Sequence, residues 1–501
     1  MTKLVDSMST TAKWLSIAVI VLMAGAAGYA FRSHGAAAFS ERVPLDKQVV
    51  VSPGDDVAKI VEDHPSGTMF VFEPGVYRGN VIVPKDRQQF FGTGEVIISG
   101  AAIVDKWRRE GNHWIAAGLP DPLRPHGDCN EGYETCKFRE DLFFNDRLFH
   151  RVASLDKLVA GTWYYEANQA FIVDDPQGAK IELSYLPVAF TGRSTDVRLE
   201  NLIVEKYASQ AQSGAIDGKR SERWIVSNVS ARWNHGLGLF IGKEMRVSGG
   251  SYSNNGQMGM AGSGDNAVIE GVEIAYNNYA NFAYGWEAGG FKFDNSRDLV
   301  VRNSCIHNNN GVGMWNDIDN IDTIFEGNRV FRNARVGIAN EISYAMVIRN
   351  NIVAQNATDR DGWLWGSQIL VLNSQDTEVY GNVVEVAAGY GNGITIIHQE
   401  RGTGEYGEYL SQNNYIHNNR IIHLGSRGRN GMIADHQEKW FEKDSNNRFD
   451  RNTYVIPTAD LKGFAILDGF RTWKVFQENG MEPNGQLIVK QSQPMKLSCR
   501  S

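Results

Sequence analysis

The 501-residue chain lacks an excess of positive charge, is poor in proline and carries only four cysteines. A net charge of −8 argues against a general nucleic-acid binder, which would present a basic face, although it is compatible with a locally basic groove. With 13 prolines and 42% hydrophobic residues, the chain does not have the composition of a disordered protein. Long helical heptads are also missing, which disfavours a helical repeat.

Glycine is abundant, with 52 residues, and it accompanies many asparagine, valine and isoleucine residues. The β-branched residues favour strands, whereas glycine and asparagine favour turns. The composition therefore predicts an all-β fold built from many short strands.

An uncharged apolar run occupies residues 14–31 and follows Lys3 and Lys13. It is at the lower limit of the roughly 17–25 residues that cross a membrane, and it is longer than the roughly 7–15 residues of a signal-peptide core. We predict that residues 1–31 are either a single membrane anchor or a cleaved signal peptide, followed by a linker over 32–45. Both interpretations place the rest of the chain outside the cytoplasm, either anchored to a membrane by this helix alone or secreted to the periplasm or beyond.

The cysteines fit an oxidising compartment. Cys129 and Cys136 lie close together in a polar loop, which predicts a local disulfide. Cys305 lies in an apolar repeat position and is expected to be a buried thiol. Cys499, near the C-terminus, has no evident partner.

Ten apolar segments repeat along the chain, each with an asparagine or glycine at its turn. Their spacings run from 21 to 37 residues, the range of solenoid proteins. Asparagine suits a left-handed turn position, and stacked asparagine side chains can hydrogen-bond from one coil to the next. The aligned turn residues are Asn201, Asn228, Gly250, Gly271, Asn303, Asn328, Asn351, Asn382, Asn419 and Asn452.

These strand-rich repeats predict an all-β, single-stranded right-handed parallel β-helix. The domain is expected over residues 46–500. Within it we expect an insertion at about 104–190, repeat coils at about 195–460 and a C-terminal cap at 461–500. Spacings longer than 30 residues are interpreted as coils that carry loop insertions.

Three stretches resemble a known group of proteins. VSPGDDVAKIVED and the residues up to 101, the segment 140–184, and the stretch 446–487 are similar to the opening, an insertion and the closing coil of the pectate-lyase-like superfamily. The resemblance implies an extracellular β-helix protein of the carbohydrate-active type. It does not imply one reaction, since that superfamily includes lyases, hydrolases, epimerases and members without known catalysis. The polygalacturonase signatures and the Asp-Pro-His-Asp signature of mannuronan epimerases are absent.

Three consecutive segments align on their first glycine: GFKFD at 290–294, GMWND at 313–317 and GIANE at 337–341. The residue after the glycine is apolar and should face inward, so the next and the fourth positions should face outward. Neighbouring parallel strands lie about 4.8 Å apart. The outward columns then read Lys292, Trp315, Ala339 and Gln368, and Asp294, Asp317 and Glu341.

This outer strip suits a glycoside hydrolase, which needs two carboxyl groups flanking the scissile bond. Asp317 and Glu341 on adjacent coils are one candidate pair, near the shorter separation of a retaining enzyme. Asp294 and Glu341, two coils apart, are the other, near the longer separation of an inverting enzyme. Stacked carboxylates raise one another's pKa, which favours a general acid. Trp315, together with Trp363 and Trp365 of a nearby insertion, would stack on sugar rings.

The same strip suits a polysaccharide lyase or epimerase, which needs a base and positive charge on the substrate carboxyl group. Lys292 is the candidate base. Arg401, or a calcium ion held by Asp294, Asp317 and Asp319, would neutralise the substrate.

Binding without turnover is the third alternative, and Tyr344, His398 and Arg401 are further candidate contacts for an oligosaccharide. Each feature also has a purely structural interpretation. The acids can serve solubility, Lys292 can pair with a neighbouring aspartate, and Trp315 can pack beneath a loop. The sequence therefore predicts a polysaccharide-active β-helix protein, with a non-catalytic carbohydrate-binding or envelope protein as the alternative.

Overall fold

The computed structural model describes residues 48–359, 363–467 and 469–499. Over most of this length the chain coils so that each turn contributes one strand to each of three parallel sheets. One coil comprises Arg198–Glu200, Ile203–Glu205 and Gly214–Asp217, and the next begins at Ile225–Ser227, which pairs in register with Arg198–Glu200. This architecture is the predicted parallel β-helix.

The coil strands are grouped below by the sheet to which they belong. Within the described residues, the first sheet has 13 strands: Gln48–Val51, Met69–Phe72, Gln89–Gly92, Arg198–Glu200, Ile225–Ser227, Arg246–Ser248, Val268–Glu270, Val300–Arg302, Ile324–Glu326, Val347–Arg349, Glu378–Tyr380, Tyr415–His417 and Arg448–Asp450. The second, over the same part of the chain, also has 13: Gly75–Arg78, Val96–Ser99, Ile203–Glu205, Ser230–Arg232, Ser251–Ser253, Glu273–Ala275, Cys305–His307, Arg329–Phe331, Ile352–Ala354, Val383–Val386, Arg420–His423, Thr453–Ile456 and Gln486–Val489. The third has 12 described strands: Phe190–Thr191, Gly214–Asp217, Leu237–Ile241, Met258–Gly262, Gly289–Phe293, Val312–Asp317, Ile338–Glu341, Ser367–Leu372, Asn392–His398, Asn430–Ala434, Phe464–Leu467 and Gly469–Arg471.

A single apolar core fills the coil. Most strands of the first sheet are three residues long, and only the middle residue points inward, as for Val226, Val247 and Val301. This alternation is the period of two that a strand imposes on its side chains. Stacking one aliphatic side chain on the next along the coil axis buries a continuous column that no single turn could bury alone.

The turn between the first and second sheets explains part of the asparagine content. Asn201, Asn228 and Asn303 have positive φ angles of 55°, 50° and 51°, as predicted for a left-handed corner. At the later turns the prediction is one residue out of register. There the left-handed residue is the one before the aligned asparagine, at Gly327, Asn350, Gly381, Asn418 and Arg451.

The asparagines displaced from the corner form a buried ladder instead. Asn328 donates to Asn351 at 3.1 Å, and Asn351 donates to Asn382 at 3.0 Å. The ladder continues from Asn382 to Asn419 and on to Asn452, each step at 2.9 Å. Because each amide satisfies the next, these polar side chains lie in the coil interior without an unpaired group.

An eight-stranded sheet interrupts the coil between Val96–Ser99 and Phe190–Thr191. It occupies the segment where the insertion at about 104–190 is expected, and it has its own apolar cluster around Trp163. Its strands, within the described residues, are Ala101–Ile103, Arg108–Glu110, His113–Ala117, Leu142–Phe144, Arg147–Arg151, Thr162–Glu166, Gln169–Ile172 and Ile181–Ser184.

Short helices cover the ends of the coil and its loops. Val57–Asp63 begins at Asp56, whose side chain accepts from the Lys59 amide, and it contributes Val57 and Val61 to the core. Near the other end, Trp473–Glu478 packs Phe476 into the core. The remaining described helices are Tyr284–Glu287 and Glu438–Lys443, with 3₁₀ turns at Glu134–Lys137 and Leu155–Lys157, and a two-stranded hairpin joins Thr403–Gly404 to Gly407–Glu408.

Two disulfides are present. Cys129–Cys136 is the predicted local bridge. The prediction that Cys305 is a free buried thiol and that Cys499 lacks a partner is wrong, because the two are bonded to each other across 194 residues. The C-terminal segment runs back along the second sheet, where Met495 N–H donates to Glu385 at 2.8 Å, and this path brings Cys499 to Cys305.

The apolar run at 14–31 and the linker at 32–45 lie outside the described residues, so the anchor and the signal peptide both remain predictions. In the part of the chain that the structure describes, no helix has the length and apolar character needed to cross a membrane.

Candidate functional site

The third sheet carries the predicted strip on its outer face. Lys292 pairs with Trp315, and Trp315 pairs with Ala339, while Asp317 pairs with Glu341. The apolar partners of the same strands point into the coil core. The glycine-based register over residues 290–341 is therefore the register of the fold.

The predicted continuation of this column to Gln368 is wrong. Ile338 pairs with Ile369, so Leu370 rather than Gln368 follows Ala339. Gln368 lies two positions earlier, and its side-chain oxygen accepts from Asn356 at 2.9 Å inside the coil. The glycine of GSQIL is not equivalent to the earlier glycines, because the loop before it is longer.

Lys292 is the centre of a buried ion cluster. Its Nζ lies 2.9 Å from Asp317 Oδ2 and 3.2 Å from Glu287 Oε1, and it also lies 4.7 Å from the centre of the Trp315 ring. Burial lowers the pKa of Lys292, but the charges of the two carboxylates outweigh this effect and raise the pKa above its ordinary value. The ammonium group is consequently a poor base at neutral pH.

The two carboxylate oxygens of Asp317 have different surroundings. Oδ2 accepts from Lys292, whereas Oδ1 is buried and has no hydrogen-bond partner among the described residues. The pKa of Asp317 is raised to about 6: burial raises it most, the charge of Glu341 also raises it, and the charge of Lys292 lowers it. A carboxyl group in this state can hold a proton near neutral pH and release it to a neighbouring oxygen.

Glu341 is held in a fixed orientation on the adjacent strand. Its Oε1 lies 2.6 Å from Arg401 Nη2, and its Oε2 accepts from Trp315 Nε1 at 3.0 Å. Both partners are donors, so both oxygens of the carboxylate are occupied. Charge-assisted hydrogen bonds of this kind fix geometry as well as charge.

A groove of about 280 Å³ opens beside Glu341 and is mainly apolar. Trp315 forms one side and Trp365 another, and Trp363 lies next to Trp365 with ring centres 6.1 Å apart. Trp363 and Trp365 are 37% and 36% exposed, so part of each side chain is accessible to a ligand. The other lining residues are Tyr284, Gly285, Val312, Arg335, Val336, Ala339, Glu341, Leu370 and Leu372.

A second cavity, of about 170 Å³, is lined by Lys292 and by other charged side chains as well as by apolar ones. Asp294 and Glu287 line it together with Lys219. The ion cluster thus separates an apolar cavity from a charged one along the same sheet face.

Asp319 and Tyr344 hold a loop rather than line the groove. Asp319 Oδ1 accepts from the Tyr409 hydroxyl and from the Glu405 amide, both at 2.9 Å. Tyr344 is 4% exposed, and its hydroxyl donates to the Gly407 carbonyl at 2.8 Å. These contacts secure the loop that delivers Arg401 to Glu341.

The predicted calcium ligands Asp294, Asp317 and Asp319 do not converge. Among the described residues, the one group with ligand atoms close enough to share an ion is Cys305, His307 and Cys499, and its two sulfur atoms are joined in a disulfide. Calcium prefers six to eight oxygen ligands, so a calcium ion at any one of these carboxylates would need further ligands.

His398, predicted as a substrate contact, is wholly buried and stacks on Phe441 at 5.3 Å. Burial lowers its pKa to about 4, so the ring is neutral at physiological pH. It cannot touch a ligand in the groove, because no part of the side chain is exposed.

Several lining residues were absent from the sequence-based site. Glu287 and Tyr284 come from the short helix before Gly289–Phe293, and Leu370 and Leu372 come from the strand whose register was misjudged. The available signal was the 32-residue spacing before Asn303, which marks the insertion that contains the helix.

Comparison with known proteins agrees with this geometry. A family model described as a right-handed β-helix region matches residues 214–384. This part of the chain is therefore similar to a right-handed β-helix, and the three parallel sheets continue on both sides of it. The comparison with curated proteins returned no match.

One solved structure shares the fold at low sequence identity, and two others are similar at lower TM-scores. The structure of XylC in complex with xylose has a TM-score of 0.64 and 15% identity, over 90% of this chain and 87% of that one. A glycoside hydrolase has a TM-score of 0.42 and 10% identity, over 87% and 99% of the two chains. A mannuronan C-5 epimerase A-module from Azotobacter vinelandii has a TM-score of 0.39 and 12% identity, over 87% and 91%. At these identities the likeness concerns the fold alone.

Proposed function

We propose that this β-helix protein binds a polysaccharide along the outer face of its third sheet and hydrolyses a glycosidic bond there. Asp317 acts as the general acid, and Glu341 is the second carboxylate. One observation carries the proposal: a buried aspartate with a raised pKa pairs, on the next strand, with an oriented glutamate that lines a groove together with Trp315 and Trp365.

The strand spacing favours retention of configuration. Adjacent strands lie about 4.8 Å apart, close to the roughly 5–5.5 Å between carboxyl groups in retaining enzymes. Asp317 gives its proton to the glycosidic oxygen as the bond to the anomeric carbon breaks, and a Glu341 oxygen bonds to that carbon. Asp317 then takes a proton from water, whose oxygen displaces Glu341 and releases the sugar.

Hydrolysis is favoured over β-elimination by the state of Lys292. A lyase or epimerase needs a base for the proton next to the substrate carboxyl group. The raised pKa of Lys292 and its two ion pairs oppose that role, and Arg401 is already paired with Glu341. Among the described residues, Lys292 is the lysine that pairs with Glu287 and Asp317.

Binding without turnover is the second candidate. The ion pairs of Lys292 leave Asp317 only 5% exposed, which favours a site that recognises a sugar without reaching its glycosidic oxygen. The tryptophans serve both candidates equally, so only an activity assay separates them.

An oxidising compartment outside the cytoplasm is part of the proposal. It is supported by the two disulfides, which form and persist in such compartments. We retain the apolar run at 14–31 as the proposed anchor or signal. Calcium binding stays a prediction, which chelation tests.

The test is a panel of acidic and neutral polysaccharides assayed both for new reducing ends and for unsaturated products. Hydrolysis predicts reducing ends without unsaturation. Unsaturated products would contradict the roles given to Asp317 and Glu341, and binding with no product at all would establish the non-catalytic candidate.

A further inference from the structure

The two cavities that flank Lys292 and Trp315 differ in chemistry along one column of the third sheet. In that column Ala261, Lys292, Trp315 and Ala339 follow one another on successive strands. Ala261 lines the charged cavity and Ala339 lines the apolar one. The same small side chain therefore faces two different environments, one strand before Lys292 at Ala261 and two strands after it at Ala339.

The apolar cavity has an aliphatic wall. Val336, Ala339, Leu370 and Leu372 are 7%, 3%, 3% and 1% exposed, and they pack with Trp315 in one cluster. None of these four side chains carries a hydrogen-bonding group. A ligand atom that lies against them must either be apolar or form its hydrogen bonds elsewhere.

The polar side chains at the rim already have partners. Glu341 is bound to Arg401 and to the Trp315 indole. The Arg335 guanidinium stacks over the Tyr284 ring, 4.7 Å from its centre. The wall is therefore suited to a methyl group and poorly suited to a sugar hydroxyl, which would lose its hydrogen bonds to water without replacement.

We propose that the sugar unit beside Glu341 carries a methyl group that lies against this wall. Two kinds of sugar present such a methyl group: a 6-deoxyhexose, through its C6, and a sugar with an O-acetyl ester, through the acetyl methyl. The inference rests on the proposed function for the location of the sugar, and it names the substrate class. Trp315 packs on the ring while Ala339, Leu370 and Leu372 receive the methyl.

The experiment measures binding to pairs of methyl glycosides that differ only at C6: rhamnoside with mannoside and fucoside with galactoside, each in its own configurational series. An acetylated polysaccharide and its deacetylated form test the ester source. Dissociation constants come from ligand-observed NMR titration of the wild type and of Asp317→Asn. We expect the methyl-bearing member of at least one pair to bind about tenfold to hundredfold more tightly, the range in which an apolar pocket discriminates against an added hydroxyl.

Two matched variants test whether the methyl preference arises at the aliphatic wall. Ala339→Ser adds one hydroxyl to the aliphatic wall and is expected to lower the preference severalfold. Ala261→Ser makes the same change in the same column at the charged cavity and should leave the preference unchanged. Equal loss in both variants overturns the assignment, and so does the absence of a methyl preference in every pair.

The outcomes also separate this inference from the hydrolase proposal. Cleavage of a polymer without methyl groups, with no methyl preference in any pair, keeps the hydrolase and overturns the inference. A methyl preference in binding with no bond cleaved keeps the inference and overturns the hydrolase.

Discussion

Replacing Asp317 with asparagine removes a carboxyl group that the fold makes hard to ionise. Its pKa rises from 3.8 to about 6, first because the group is buried and then because Glu341 lies on the next strand. A shift of about 2 units at about 1.4 kcal/mol per unit corresponds to about 3 kcal/mol. This is the free energy that ionisation of Asp317 costs the folded protein relative to the unfolded chain.

The direction in which the stability changes with pH follows from proton binding. Between pH 4 and pH 6 the folded protein holds the Asp317 proton more tightly than the unfolded chain, so this group stabilises the fold less as the pH rises. Its contribution is greatest below pH 4 and is lost by pH 7. Asp317→Asn lacks this pH-dependent contribution to the free energy of unfolding. Between pH 4 and pH 7 the variant should therefore gain about 3 kcal/mol of stability relative to the wild type.

Denaturant unfolding of both proteins at several pH values, with the disulfides intact, measures this difference. Glu270→Gln is the matched control, since Glu270 forms an ion pair with Arg302 at 2.6 Å on the solvent-facing first sheet. The ion pair between Glu341 and Arg401 has the same distance. For Glu270→Gln the difference from the wild type should stay within about 1 kcal/mol over the same range. A difference for Asp317→Asn that is flat with pH, or of opposite sign, would refute the burial of an unfavourable charge at this position.

Three further outcomes follow from the structure. Replacing Cys305 and Cys499 by serine should lower the free energy of unfolding by up to about 5 kcal/mol, because the bridge closes a 194-residue separation. Loss of the Cys129–Cys136 bridge, which spans 7 residues, should lower it by about half as much. Similar losses for the two bridges in denaturant unfolding would contradict this ranking. Lys292→Met removes the charge that lowers the pKa of Asp317, so the alkaline limb of the pH–rate profile should move upward; a downward move would show that Asp317 is not the acid. A chelator should leave activity unchanged, since the carboxylates proposed as calcium ligands do not converge, and a loss restored by added calcium would reinstate that site.

The coil register was readable from the sequence because three short segments begin with the same glycine and carry an apolar residue next to it. That pattern predicts which residue faces inward, and the pairing of Asp317 with Glu341 follows from it. The prediction failed at Gln368, where the longer loop before the strand removes the glycine as a reference point.

Other features depended on contacts that are distant in sequence. Nothing local to Cys305 or Cys499 reveals that the C-terminal segment returns along the second sheet. Glu287 likewise reaches Lys292 only because a short helix in a loop covers the sheet face. The burial of His398 depends on Phe441 of another helix, so its neighbouring residues in the sequence give no sign of it.

Hydrolysis rates of the wild type, Asp317→Asn, Glu341→Gln and Glu270→Gln on a polysaccharide that the wild type cleaves are the most direct measurement of the proposed chemistry. We expect both changes in the groove to lower the rate by about 10²–10⁴-fold with binding retained, the usual contribution of a positioned acid or base. The Glu270→Gln control should keep the wild-type rate. Wild-type rates in both Asp317→Asn and Glu341→Gln would contradict the assignment of this site.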